Sequence, residues 1–187
     1  NMLFLEEIWS RDLTNLFIAP LTLKEIIISL IFTALIRTLI GLVPAILLTS
    51  PLFGVSILKL GLPLLILFLS LYIFGITLGL FVSAGLIRFG PSFENIAWSS
   101  LFLLAPLGCI YYPIEILPNF FQIIAKGLPL VYIFDETRNI LLNGIVSYEN
   151  LKQAYFLNLI YLIFGICLFY LSFLKARIKG TLINMGE

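Results

Sequence analysis

The chain has 187 residues, of which 61% are hydrophobic and 11% charged, and its mean hydropathy is +1.12. That composition lies outside the range of a soluble domain of this length and makes a membrane its solvent. A formal net charge of +1 with scattered basic residues offers no patch for nucleic acid, and the lack of any histidine removes histidine-ligated metals, Ser/His and Cys/His catalytic pairs and histidine proton relays.

The chain opens Asn1-Met2, without a basic n-region followed by a short apolar core, and so reads as truncated or begun internally. In the stretch from Leu3 to Ala19, Leu5, Ile8, Trp9, Leu13, Leu16 and Phe17 recur at helical spacing, while Glu6, Glu7, Ser10, Arg11 and Asn15 take other faces. This predicts an amphipathic helix with a Glu7/Arg11 pair at i,i+4, stopped by Pro20 and too charged to span. Glu6, Glu7 and Asp12 make it a poor ligand for an anionic leaflet, so docking of a cytosolic partner fits its charge better than resting on lipid.

A helix needs about 20 apolar residues to cross the hydrocarbon core. Four runs qualify. They are 26–49, closed by Ser50-Pro51; 62–87, closed by Arg88-Phe89-Gly90-Pro91; 95–112, with Pro106 as a kink; and 151–174. Arg37 in the first run stands about 20 Å along the helix from Lys24, near mid-membrane, where an arginine costs about 2.5–3.5 kcal/mol unless protein or water covers it. It reads either as lining a polar pathway or as a packing residue bonded to carbonyls inside the bundle. Gly75, Gly79 and Ser83 make a small-residue stripe on the second run, suited to close helix approach within the chain or between subunits. Cys109 and Cys167 lie in apolar runs without CxxC spacing and read as small hydrophobes, so no metal site is expected.

The stretch from Pro106 to Gly144 is as apolar as a span, yet prolines break it and charges dot it; lipid tolerates such backbone only under protein or water cover. Pro118 to Lys126 reads as one short helix, with a basic last turn and Gly127 behind it, and Leu130 to Asn143 as a second ending at Gly144. Neither is long enough to cross, so the region 113–146 is expected to dip in and return or to lie at the outer surface. Asp135 and Arg138 stand at i,i+3, where they can pair, beside Glu136. Tyr111, Tyr112, Phe120 and Phe121 fit an outer aromatic belt. Of the basic residues near span ends, Arg11, Lys24, Arg88, Lys175, Arg177 and Lys179 share one side against Lys59, Lys126, Arg138 and Lys152 on the other, which places both chain ends in the cytoplasm.

The order and spacing of several pieces resemble one family. These are Leu5-Glu6-Glu7 through Ala19-Pro20-Leu21, then Arg88-Phe89-Gly90, Glu94-Asn95-Ile96-Ala97-Trp98 and Leu104-Ala105-Pro106, followed by Tyr112-Pro113-Ile114-Glu115-Ile116-Leu117-Pro118, Leu128-Pro129 and Phe134-Asp135-Glu136-Thr137-Arg138. Together they resemble the membrane (permease) subunit of a type 2 class ATP-binding cassette exporter, over nearly the whole chain. The resemblance implies an all-α integral membrane protein in the cell inner membrane, here with four transmembrane helices. An amphipathic cytoplasmic coupling helix at 3–19 precedes them, and two short re-entrant outer half-helices precede the last span. The family's first two spans would then be missing from this chain.

The resemblance further implies a second permease subunit and a separate ATPase subunit that holds ATP and Mg, since no GxxxxGK[ST] loop occurs here and this chain would bind no cofactor itself. Glu6, Glu7, Trp9 and Arg11 would dock the ATPase, and Pro113, Glu115, Pro118, Asp135, Glu136 and Arg138 would shape the outer gate. A lipid-linked, polysaccharide or drug-like substrate would leave by alternating access. An ion or small-solute channel with a re-entrant filter is the rival reading. A lipid-modifying enzyme or intramembrane protease is disfavoured by the missing histidines and the lack of a GxGD or paired-aspartate motif.

Overall fold

The computed structural model describes residues 23–53, 61–144 and 146–179, which are helical with no strand among the described residues. The amphipathic helix expected over Leu3 to Ala19, with Glu6, Glu7, Trp9 and Arg11, lies outside them. Among the described residues six α-helices follow one another: α1 (Leu23–Phe53), α2 (Leu62–Phe89), α3 (Glu94–Leu107), α4 (Asn119–Lys126), α5 (Pro129–Asn143) and α6 (Tyr148–Lys179). Short 3-10 turns stand at Pro91–Phe93 and Ile114–Ile116.

Among the described residues three helices are long and apolar enough to cross a membrane, over Ile31–Thr49, Leu62–Phe89 and Tyr148–Ile178. The third run expected from 95 to 112 is helical only as far as Leu107; its 14 residues reach about 21 Å, short of a hydrocarbon core of about 30 Å. Pro106 sits in its last turn, and beyond it Cys109 takes a left-handed conformation (φ 52) that ends the helix. In the opposite sense, α1 passes through the expected stop at Ser50-Pro51 and runs to Phe53, with Pro44 and Pro51 inside it. Membrane helices accommodate such prolines where nearby groups meet the freed carbonyls. Three threonine hydroxyls of α1 bond within the helix, Thr33, Thr38 and Thr49 donating to the carbonyls of Ser29, Ala34 and Ala45 at 2.7–2.8 Å.

The described residues form two compact units. One holds α1 with residues 78–95 and 165–179. In it, residues 82–87 of α2 are all buried, and a Cβ on Gly85 would collide with the Phe93 ring, which would have to move to admit one. Gly90 (φ 77) then ends α2, its N–H reaching the Leu86 carbonyl at 2.8 Å.

The other unit holds residues 61–77, 96–144 and 146–164. Leu67, Ser70, Phe74 and Thr77 recur at helical spacing as the buried stripe of α2 there. Leu67 packs with Ile133 of α5 and with Leu151 and Ala154 of α6. Between helices in lipid there is no water to expel, so close packing and hydrogen bonds hold such a cluster. Two side chains set the helix direction: Tyr155 Oη donates to the Ile66 carbonyl at 2.7 Å, and Asn158 Nδ2 donates to the Ser70 carbonyl at 3.0 Å and to Ser70 Oγ at 2.9 Å. Residue numbers rise together on both sides, so α2 and α6 run the same way in this unit.

Candidate functional site

The site is the broken backbone between α3 and α6. Each break frees carbonyls that a continuous helix would have satisfied, and at membrane depth a bare carbonyl costs several kcal/mol. Five side chains meet five of them. Tyr112 Oη donates to the Pro106 carbonyl at 2.8 Å, Arg138 Nη1 to that of Cys109 at 2.9 Å, and Gln122 Nε2 to that of Leu117 at 2.7 Å. Tyr132 Oη and Tyr161 Oη donate to the neighbouring carbonyls of Lys126 and Gly127, each at 3.0 Å. Packing closes around the same breaks: Cys109, Ala125 and Val131 are buried together, with Tyr112, Ile114, Leu117 and Leu128 against them. Gly108 is needed there because a Cβ would lie 2.8 Å from the Leu104 carbonyl oxygen and 2.9 Å from Leu130.

The last of those bonds fixes the level of the turn along α6. Tyr161 stands about 20 Å along α6 from Tyr148, so the α4–α5 turn at Gly127 lies at that level. From the turn, α5 covers its 15 residues, about 22 Å, back toward the first turn of α6, and Gly144 (φ 67) ends it in the left-handed cap expected from the sequence. Gly127 behaves differently. At φ −75 it stays right-handed, and a tight turn in which its N–H meets the Ile124 carbonyl at 3.0 Å ends α4 instead. Pro118 stands just before α4 rather than within its first turn.

At the far end of α5 the charged residues meet α6. Glu136 is fully buried, its Oε1 receiving the Ser147 N–H at 2.5 Å and its Oε2 the Asn150 amide at 3.2 Å. A carboxylate at the start of a 32-residue helix is favoured by the unpaired amides and the dipole there, typically by 0.3–1 kcal/mol and up to ~2 kcal/mol when partly buried. Asp135 takes the same Asn150 amide at 3.4 Å and faces Arg138 Nη2 at 3.6 Å. The i,i+3 pair expected from the sequence is therefore made, and the other branch of its arginine holds the Cys109 carbonyl.

The remaining predicted residues are spread out. Pro113, Glu115 and Pro118 are exposed around the 3-10 turn at Ile114–Ile116, and Tyr111, Phe120 and Phe121 are exposed beside them. Arg37 is exposed on α1, none of whose spanning stretch is buried within the described residues. Of the small-residue stripe, Ser83 is buried and Gly79 half-buried, whereas at Gly75 an added Cβ would meet nothing within 4 Å. No group of three or more acidic or cysteine residues is placed to hold a metal among the described residues. Sequence reasoning missed Gln122, Tyr132, Ser147, Asn150, Asn158 and Tyr161. For Gln122, Tyr132, Asn158 and Tyr161 a polar group inside an apolar run was the available signal; Ser147 acts through its backbone N–H and Asn150 lies in a polar stretch, so neither carried one.

No protein-family model matches the chain, and searches of curated proteins and of solved structures give no match.

Proposed function

We propose that this chain is the permease subunit of an ATP-driven exporter, in which the capped, broken segment between α3 and α6 forms the outer end of the substrate pathway. The observation that carries this reading is the level of the Gly127 turn, about 20 Å along α6, joined to side-chain caps on five carbonyls at three breaks. Re-entrant backbone stabilised at such expense has no use in an anchor.

A fourth crossing belongs to the proposal. Two helices that run the same way, α2 and α6, require the chain between them to return across the membrane. The 14 residues of α3 and the non-helical stretch after them supply that crossing. The topology then has cytoplasmic ends at both termini, an outward region at 113–146 and the coupling helix at 3–19 on the cytoplasmic side. Arg37, exposed on α1, is covered by the pathway or by a second permease subunit.

ATP and Mg belong to a partner ATPase, whose closure pushes the coupling helix and tilts the spans. Lipid-linked, polysaccharide or drug-like cargo suits a pathway with few charges. A channel filter would need carbonyls free to replace an ion's water. The carbonyls at these breaks are instead engaged by phenols, an amide and a guanidinium, which favours the exporter.

Charge reversal at Glu6 and Glu7 in a complete subunit tests the assignment. Association with the ATPase and stimulated ATP hydrolysis are expected to fall at least tenfold. Unchanged hydrolysis in that variant, or nucleotide-free ion conductance by the purified protein in bilayers, would overturn it.

A further inference from the structure

The charged end of α5 touches two separate parts of the chain through one unbroken series of polar contacts. From the Cys109 carbonyl the series passes to Arg138 Nη1 at 2.9 Å, and from Arg138 Nη2 to Asp135 Oδ1 at 3.6 Å. Asp135 Oδ2 receives the Asn150 amide at 3.4 Å, the same amide reaches Glu136 Oε2 at 3.2 Å, and Glu136 Oε1 ends the series on the Ser147 N–H. One terminus is the turn that closes α3; the other is the first residue before α6.

We propose that this series is a mechanical link which makes the α3 turn and the start of α6 change position together, and that Asn150 is the positioning residue at its joint. The chemistry explains why an amide stands there. Asp135 and Glu136 are adjacent carboxylates that repel one another, and a carboxamide nitrogen carries two N–H donors, one for each. Asn150 does so without adding charge beside a fully buried Glu136. At the other end Cys109 holds a left-handed backbone that is unfavourable for a residue with a Cβ, so the turn persists only while its surroundings enforce it. Arg138 on its carbonyl is the polar part of that enforcement. Its Nη2 is buried with Asp135 as its charged neighbour, so loss of Asp135 from position also releases the arginine.

Cys109 is fully buried and serves as the reporter. With Cys167→Ser in the full chain, it is the single thiol left of two, and its rate of modification by N-ethylmaleimide in lipid nanodiscs reads opening of the α3 turn. Asn150→Asp preserves side-chain size but sets a third carboxylate beside Asp135 and Glu136; the rate is expected to rise tenfold or more. In the double variant N150D/E136Q the amide and the carboxylate change places, and the amide oxygen at 136 can still accept the Ser147 N–H. The rate is then expected to return to within threefold of the parent.

A rate within twofold of the parent in N150D would overturn the link. So would a raised rate that the exchange fails to lower, because that outcome means general loosening. Should N150D lose its helical circular dichroism, E136Q alone is read, expected at fivefold or more, with an unchanged rate counting against the link. None of these readouts involves nucleotide or cargo, so the link stands or falls apart from the exporter proposal.

Discussion

Asn158 shows what a single polar side chain does at membrane depth. It is 1% exposed, both its bonds go to Ser70, and its Oδ1 has no hydrogen-bond partner among the described residues. A neutral hydrogen bond contributes about 1 kcal/mol net, and an unmet acceptor costs a similar amount, so the two nearly offset. Asn158→Leu is therefore expected to change stability by no more than about 1 kcal/mol, since it removes bond and orphan acceptor together. Asn158→Asp removes the donor and leaves a charge facing the Ser70 carbonyl, with an expected loss of about 3 kcal/mol. Reversible unfolding in detergent, followed by circular dichroism, compares the two. Glu136 and Arg138 were legible as special because charges are rare in so apolar a stretch. Their partners were not, because the Ser147 N–H and the Cys109 carbonyl are backbone groups that every residue carries.

Among the elements, α4 and α5 followed from the sequence to within a residue or so, because Pro118, Pro129 and Gly144 punctuate them. Their two terminal glycines look alike in sequence and differ in conformation. Gly144→Ala puts a Cβ on a left-handed residue and is expected to cost about 1 kcal/mol or more. Gly127 is right-handed, its added Cβ approaching only the Ile124 carbonyl at 3.2 Å, so Gly127→Ala is expected to cost well under half of that. Melting temperatures of the two variants in one detergent decide between these expectations. The helix α1 continues through Pro51 to Phe53, while its stretch long and apolar enough to span ends at Thr49, as expected from the sequence. α3 was overestimated because hydropathy does not register the turn that Gly108 and Cys109 make beyond Pro106.

For the molecule as a whole, the shared direction of α2 and α6 makes a topological prediction. In a cysteine-free background, a membrane-impermeant maleimide should label Asn143→Cys from outside intact cells and Ser92→Cys only after permeabilisation. Labelling of both from the same face would rule out a crossing by α3 and the stretch after it. Composition and hydropathy alone carried the long apolar helices, three of which are long and apolar enough to cross a membrane among the described residues, and the prolines and glycines alone located the breaks between 106 and 144. Tertiary structure decided where the freed backbone groups find their partners. Gly127 meets Tyr161, thirty-four residues later, and Cys109 meets Arg138, twenty-nine later. A hydrogen bond between such distant residues depends on how the helices stack, and a local pattern of residue types carries no record of that stacking.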